Sequence, residues 1–269
     1  MKSILSAACA LLLVASANAA TVAPHRAIYD LTLLRSNERA GVQSAAGKLA
    51  FEVEGSSCEG FTVSFRMATK YAPRDGGQLL IDTMTTTYEG PGALDFRHQM
   101  KETIDNVVKE DMRIKLTRPA MDKPGDGTLS TKPGEAFTIA PDTVFPMQHQ
   151  LRLMALGEAG GGRDSSVIYD GSDGPQSFRA ISFVGKAKPA GANPADAANP
   201  AARPLKDIGS WPMTVSYYKL DGDTETPEYQ VSFDMYENGV ASGLVLDYGD
   251  FALSGTLRDL KMLPKPDCP

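Results

Sequence analysis

The chain has 269 residues, a net charge of −6 at pH 7 and 42% hydrophobic residues. An acidic chain without a basic cluster does not neutralise phosphates, which argues against nucleic-acid binding and against electrostatic docking on an anionic membrane. Its length suits one large β domain or two small ones.

The N-terminal segment has the pattern of a secretion signal. Lys2 supplies the positive charge, Ile4 to Ala17 form an apolar stretch too short to cross a bilayer, and Ala17-Asn18-Ala19 is a small-residue cleavage site. We therefore predict a signal peptide at 1–19 and an exported mature chain at 20–269. No later segment has a sufficiently long uninterrupted apolar run, so we expect no membrane span in the mature protein.

Two cysteines, Cys58 and Cys268, remain once the signal peptide and its Cys9 are removed. A cysteine pair in an exported protein favours a disulfide, which here would join an early strand to the C-terminal end. The chain-entropy treatment gives so long a loop about 5 kcal/mol of stabilisation as an upper figure. Because one β fold whose ends meet would gain most from this link, we predict a single domain.

Alternation of apolar and polar residues dominates the mature chain. The alternating segments are 27–35, 48–54, 61–70, 80–88, 94–100, 112–116, 229–235 and 251–257. Such alternation is typical of strands with one buried and one wet face. Gly-rich and Asx-rich turns separate the segments, and Asn238-Gly239 is a hairpin signal. We predict an all-β fold, an antiparallel meander of roughly a dozen strands.

One segment has helical spacing instead. Apolar residues recur at helical intervals over 147–156, Pro146 suits a first helical turn, and Gly157 is expected at the end of the helix. We predict one α-helix that covers an open barrel end or a sheet edge.

An Ala/Pro-rich stretch at 187–203 is the one low-complexity segment. Its composition predicts a flexible insertion between two strands that adds nothing to the core. A domain linker is the alternative, but the strand patterns on both sides are alike.

No motif of catalysis, metal binding or cofactor binding appears in the chain. The histidines, His25, His98 and His149, lack metal-ligand spacing and are expected to be buried or capping. The acidic stretches 169–174 and 221–225 lack a full calcium ligand set and are expected to be Asx turns. We therefore predict no catalytic residue, no metal and no cofactor, although any two strands could bring a glycosidase-like carboxylate pair together.

Aromatic and methionine side chains lie on the predicted strands. They are Phe51, Phe61, Phe65, Tyr88, Phe96, Phe233, Tyr236 and Phe251, together with Met67, Met84, Met100, Met112 and Met235. They suit a core, and they also suit an apolar groove inside a curved sheet that holds an acyl chain or an extended peptide.

The order of four motifs resembles the EipB-like cell-envelope integrity family of alphaproteobacteria. These motifs are residues 24–33 at the first strand, Phe145 to His149 at the start of the helix, Tyr169 to Asp173, and Tyr248 to Leu260. The positions of Cys58 and Cys268 match as well. The resemblance covers essentially the whole mature chain, and none of its motifs is catalytic.

The resemblance implies a periplasmic protein folded as a β-spiral, an open barrel-like sheet with a helix packed against it, and a disulfide between Cys58 and Cys268. It implies maintenance of envelope integrity under stress, with no known catalysis. The export signal, the apolar strand faces and the lack of a catalytic set favour a non-enzymatic protein that holds a lipid or a peptide in the β groove, or binds an envelope protein partner. A lipid or lipoprotein carrier and a hydrolase of envelope polymers remain as alternatives, and the oligomeric state is left open.

Overall fold

The structure is a computed structural model that describes residues 21–130, 135–221 and 225–267. The predicted signal peptide and Cys268 lie outside these ranges. The strands are β1 (His25–Ser36), β2 (Val42–Ser56), β3 (Gly60–Pro73), β4 (Leu79–Glu89), β5 (Asp95–Ile104), β6 (Val107–Thr117), β7 (Gly125–Leu129), β8 (Glu135–Ile139), β9 (Gly162–Ile168), β10 (Phe178–Val184), β11 (Ser210–Lys219), β12 (Tyr229–Tyr236), β13 (Ala241–Asp247) and β14 (Phe251–Met262). The α-helices are α1 (Pro146–Glu158) and α2 (Pro194–Ala197).

The strands form one antiparallel sheet, in the order β8-β7-β6-β5-β4-β3-β2-β1-β14-β13-β12-β11-β10-β9. Strands adjacent in the chain pair with each other, as antiparallel hairpins allow, except that β8 and β9 are separated by α1 and do not pair. Most connections are short turns, but the 187–203 segment lies between β10 and β11. The pairing of β1 with β14 joins the two ends of the described sheet segment in the middle of the sheet. The edge strands β8 and β9 leave the sheet open, so the predicted all-β, open-barrel-like β-spiral is confirmed, with fourteen strands in the described residues.

The register places the predicted apolar residues of β2, β3 and β5 on one face, whereas in β4 the predicted face was wrong, because Met84 and Tyr88 point outward and the threonines between them point inward. Phe65 of β3 lies opposite Phe51 of β2 and Thr85 of β4, and Thr85 lies opposite Met100 of β5. Directly opposed residues share a face of the sheet, and their next neighbours in the chain point the other way. The Asn238-Gly239 hairpin is confirmed too, because it connects β12 with β13.

Helix α1 begins at Pro146 as predicted, but it does not end at Gly157. Gly157 is buried inside the helix, where a Cβ atom would lie 2.6 Å from the Trp211 ring. The chain leaves the helix through Gly160 and Gly161, both at positive φ. Glycine at position 157 therefore serves close packing, and the predicted helix end was wrong.

The N-terminus of α1 is capped by a residue from a distant strand. The preceding Phe145 provides no side-chain cap. Instead, the buried Glu89 carboxylate of β4 accepts hydrogen bonds from the backbone N–H groups of Met147 (2.8 Å) and Gln148 (3.4 Å). This contact fixes the helix, which connects the two edge strands and packs against β9 and β10.

The 187–203 segment contributes to the core, which contradicts the sequence-based expectation. It contains α2 and most of a 3-10 helix at Pro200–Leu205, with Asn199 accepting a hydrogen bond from Ala201 N–H. Ala202 and Leu205 are buried in the apolar cluster beside β1 and β14. Composition alone does not show that short helical turns will bury the small apolar side chains of this segment. Its flexibility stays a prediction.

In the described part of the chain, no helix is both long enough and apolar enough to cross a membrane.

Candidate functional site: an amphipathic cavity inside the spiral

The inner face of the sheet encloses a cavity of about 440 Å³, which we call the main cavity because of its position inside the spiral. This volume lies in the range of small-molecule sites. Its described lining consists of Leu49, Phe65, Met67, Thr83, Thr85, Thr87, His98, Met100, Pro146, Asp170, Ser172, Tyr229, Gln230, Val231, Leu246, Asp247 and Tyr248.

Strand alternation builds the main wall of the cavity. Thr83, Thr85 and Thr87 occupy every second position of β4 and form a row of hydroxyls. Apolar side chains on the flanking strands, Phe65 of β3 and Met100 of β5, sit directly opposite Thr85. The wall is therefore amphipathic, with a polar row between two apolar ones.

The turn after β9 brings two polar groups to the cavity. The Asp170 carboxylate accepts hydrogen bonds from Ser172 N–H (2.9 Å) and from the Ser172 hydroxyl (2.7 Å). The predicted Asx turn is thus confirmed for this stretch. Gly171 has φ +77°, and a Cβ there would lie 3.0 Å from the His98 ring. Glycine therefore allows the turn to lie directly against that ring.

His98 borders the cavity from β5 and is only 6% exposed. Its Nδ1 atom lies 2.9 Å from the Thr87 hydroxyl, and its ring stacks on Phe96. Its Nε2 atom has no hydrogen-bond partner among the described residues. Burial lowers the pKa of His98 below 6.5, although nearby Asp170 opposes this shift, so the ring is neutral at neutral pH.

Tyrosines form the opposite wall. The Tyr229 ring stacks on Tyr217, with centroids 4.4 Å apart, and its hydroxyl points to Asp170 at 3.5 Å. Burial raises the pKa of Tyr229 well above its ordinary value and that of Tyr248 to about 12. Both phenols are therefore neutral hydrogen-bonding groups.

A smaller cavity of about 190 Å³ adjoins the first and shares Pro146 and Val231 with it. His149 of α1 lies there, with its Nε2 atom 3.2 Å from the Ser182 hydroxyl and 3.5 Å from the Asp164 carboxylate. A Ser-His-Asp triad needs the serine and the acid on opposite ring nitrogens. Both partners approach the same nitrogen, and Ser182 is fully buried. We therefore assign this cluster a structural role, in which it holds α1 against the sheet.

A further cavity, of about 460 Å³, lies under the 187–203 segment. Its Asp196 carboxylate accepts hydrogen bonds from Tyr236 (2.7 Å), Ser242 (2.5 Å) and Asn193 (2.8 Å). These bonds anchor the segment to the sheet, so we assign this cluster a structural role.

The predicted groove residues divide between cavity and core. Phe65, Met67 and Met100 line the main cavity, and Phe233 and Met235 line the adjoining one. Phe61, Phe96 and Met112 are buried in the core, whereas Met84 is 38% exposed. The three histidines are buried as predicted. The threonine row and Asp170 were missed, although the alternation at 83, 85 and 87 could have identified the former.

A pair of strand-borne carboxylates lies at the margin of the cavity. Glu102 of β5 is directly opposite Glu110 of β6, and it accepts a hydrogen bond from Thr83. Burial, and then the proximity of Glu102 and Asp173, raise the pKa of Glu110. Within residues 21–130, 135–221 and 225–267, no group of three or more His, Cys, Asp and Glu side chains could hold a metal ion.

Cys58 lies in the turn between β2 and β3. His25, the first residue of β1, pairs with Val53 near the end of β2 and with Met262, the last residue of β14. The C-terminal end of the described chain therefore leaves the sheet at the same end as Cys58, and β14 lies two strand spacings, or roughly 10 Å, from β2. Cys268 lies outside the described residues, so the disulfide stays a prediction that this arrangement favours.

Comparison with known proteins agrees with the resemblance seen in the sequence. The EipB-like family matches residues 16–264. The chain is 34% identical over 256 residues to the cell envelope integrity protein EipB of Brucella abortus, which covers 91% of this chain and 86% of the relative. It also resembles the crystal structure of a β-barrel-like protein of a domain of unknown function from Brucella abortus. That match has a TM-score of 0.82 and 29% identity, and it covers 91% of this chain and 99% of the other.

Three of the four motifs that carry the resemblance border the main cavity. Pro146 starts α1, Asp170 and Ser172 belong to the turn after β9, and Tyr248 precedes the last strand. These residues are far apart in the sequence, and the spiral brings them together at one site.

Proposed function

The chain belongs to the EipB-like family, and we propose that it supports cell-envelope integrity from the periplasm by holding an acyl chain inside its β-spiral. The observation that carries this proposal is the cavity of about 440 Å³ on the inner face of the sheet, with Phe65, Met67, Met100 and Leu246 among its apolar lining. Burial of a ligand's apolar surface against such side chains supplies the driving force for binding.

The pairing of the wall strands favours an acyl chain over an extended peptide. The cavity is lined by β2, β3, β4, β5, β12 and β13, each of which has a hydrogen-bonded neighbour on both sides. A peptide recognised as an added strand needs a free sheet edge, and without one its own backbone groups would be buried unpaired. An acyl chain carries no such groups.

A matched pair of substitutions on one strand tests the proposal. Thr85 points into the cavity and its neighbour Thr86 points to solvent. We expect Thr85→Trp to fill the cavity and to abolish the binding of a fluorescent acyl probe. We expect Thr86→Trp to bind the probe like the wild type.

Both variants must first show a cooperative melting transition, so that loss of binding is not loss of folding. In a deletion strain, Thr86→Trp should restore resistance to detergents and cell-wall antibiotics, and Thr85→Trp should not. Equal probe binding by both variants would show that the cavity does not hold the acyl chain.

Native mass spectrometry of protein purified from periplasm identifies what the cavity holds in the cell. A reproducible adduct that organic extraction assigns to one lipid class supports the proposal. A peptide adduct would contradict the acyl assignment, and a mass without adduct would direct the search to a protein partner through cross-linking.

A carrier is a narrower form of the same proposal, since a carrier must also release its lipid to another membrane. Transfer of labelled lipid between two vesicle populations tests this form. Binding without transfer would leave the protein as a holder of lipid.

The hydrolase alternative rests on the Glu102–Glu110 pair, which the register places side by side. Incubation with peptidoglycan and lipopolysaccharide tests it. Product formation that disappears in Glu102→Gln would overturn the non-enzymatic proposal.

A further inference from the structure

The polar groups around the main cavity are mostly hydrogen-bond acceptors and neutral hydroxyls. Among the described lining residues none is lysine or arginine, whereas two are aspartates, Asp170 and Asp247. Arg35 approaches both Asp247 carboxylate oxygens, at 2.5 and 2.6 Å, and so neutralises that residue. Among the described residues, Asp170 accepts hydrogen bonds only from Ser172 and Tyr229 and no cationic side chain pairs with it, so these residues leave its negative charge uncompensated beside the cavity.

Further acids lie at one side of the cavity, next to the lining residue Thr83. Glu102 and Glu110 are directly opposed on β5 and β6, and Asp173 is close enough to act on Glu110. Like charges at this spacing repel each other and give the margin a negative potential. A ligand group with only negative charge would be disfavoured there, and a group with positive charge would be favoured.

His98 provides a second, independent indication of a ligand. A buried ring nitrogen without a partner is rare in folded proteins, and Nε2 of His98 is such an atom among the described residues. The Thr87 hydroxyl occupies the other nitrogen. When Nδ1 carries the proton of the neutral ring, Nε2 can only accept a hydrogen bond.

We infer that the cavity selects amphiphiles with an amine head group, whose N–H donors bind His98 Nε2 and the Asp170 carboxylate, and that it rejects head groups carrying only negative charge. This inference rests on the proposed function, because it assumes that an acyl chain occupies the apolar part of the cavity. An ammonium group has three donors, which suits a neutral imidazole and a carboxylate together.

Isothermal titration calorimetry with ligands of one chain length isolates the head group. Decylamine, decanol and decanoate share the same alkyl chain and differ in charge and in donors. We expect the affinity order decylamine, decanol, decanoate, with about tenfold or more between the first and the last. Comparing the affinities for lysophosphatidylethanolamine and lysophosphatidylglycerol shows whether a lipid head group can supply the amine.

Two substitutions assign the effect to the named residues. Asp170→Asn keeps an oxygen for the Ser172 donors and removes the charge, so it should lower decylamine affinity about tenfold with little change for decanol. His98→Phe keeps the stacking on Phe96 and removes Nε2, and it should also weaken decylamine binding. Asp207→Asn is the matched control, because Asp207 is 83% exposed and lies outside the cavity lining.

The outcomes separate this inference from the proposed function. Decanoate binding as tightly as decylamine would overturn the head-group inference and leave acyl binding intact. An equal loss in Asp207→Asn and Asp170→Asn would attribute the preference to overall charge and would overturn it as well. Failure of all three ligands to bind would instead refute the acyl-binding proposal itself.

Discussion

The Glu89 cap of helix α1 makes the stability of the protein depend on pH. Glu89 is 4% exposed, and burial raises its pKa to about 7 from an ordinary value of 4.5. Between these two values the folded protein binds more protons than the unfolded chain. The free energy of unfolding therefore falls as pH rises from 4.5 to 7, and this contribution levels off above pH 7.

The difference between the two pKa values corresponds to about 3 kcal/mol, at roughly 1.4 kcal/mol for each tenfold change in the dissociation constant. This is an upper figure, because the N-terminus of α1 favours a carboxylate by roughly 0.3–1 kcal/mol. Glu89→Gln keeps an oxygen that accepts the Met147 N–H bond and cannot ionise. We expect the stability of the variant relative to wild type to rise by up to about 3 kcal/mol between pH 4.5 and pH 8.

Urea unfolding followed by circular dichroism at several pH values measures this difference. Other titrating groups are present in both proteins and cancel in the comparison. Glu158→Gln is the control, because it removes an exposed carboxylate from the other end of the same helix. If Glu89→Gln differs from wild type by the same amount at every pH, the buried-cap reasoning is refuted.

Three other changes have defined outcomes. Cys58→Ser should lower the melting temperature in oxidising buffer, with a loss of a few kcal/mol in the free energy of unfolding, because only the oxidised wild type would carry the bridge to Cys268. Under reductant the variant and the wild type should melt alike. Equal melting temperatures without reductant would disprove the bridge. Burial lowers the pKa of His149 to about 4, so the fold loses up to about 3 kcal/mol as pH falls from 6.5 to 4. His149→Gln should reduce this acid loss in urea titrations, and an unchanged acid loss would contradict it. Gly157→Ala should destabilise by about 1–3 kcal/mol despite a better helix propensity, because the new methyl group would collide with Trp211; a higher melting temperature would show that the ring moves aside.

The sequence predicted the strands of this protein better than it predicted the cavity. Residues such as Phe65 and Met67 point inward because side chains alternate along a strand, so their faces follow from the period alone. The start of α1 at Pro146 follows from local backbone chemistry in the same way. The end of α1 does not follow from local chemistry, because position 157 requires glycine for packing against the distant Trp211 ring.

The site depends on contacts that no local pattern contains. His98, Asp170 and Tyr248 meet because β1 pairs with β14 and the sheet curls into a spiral, which brings distant segments to one inner surface. In the sequence the Asp170 turn is an ordinary Asx turn. Only the structure shows that Gly171 packs against the His98 ring, which places the Asp170 carboxylate beside the cavity. The sequence by itself determined the alternation of apolar and polar residues along the strands, the class of fold and the family, since these depend on neighbouring residues and their order. Only the tertiary structure decided which polar groups face the cavity, because that depends on long-range strand pairing.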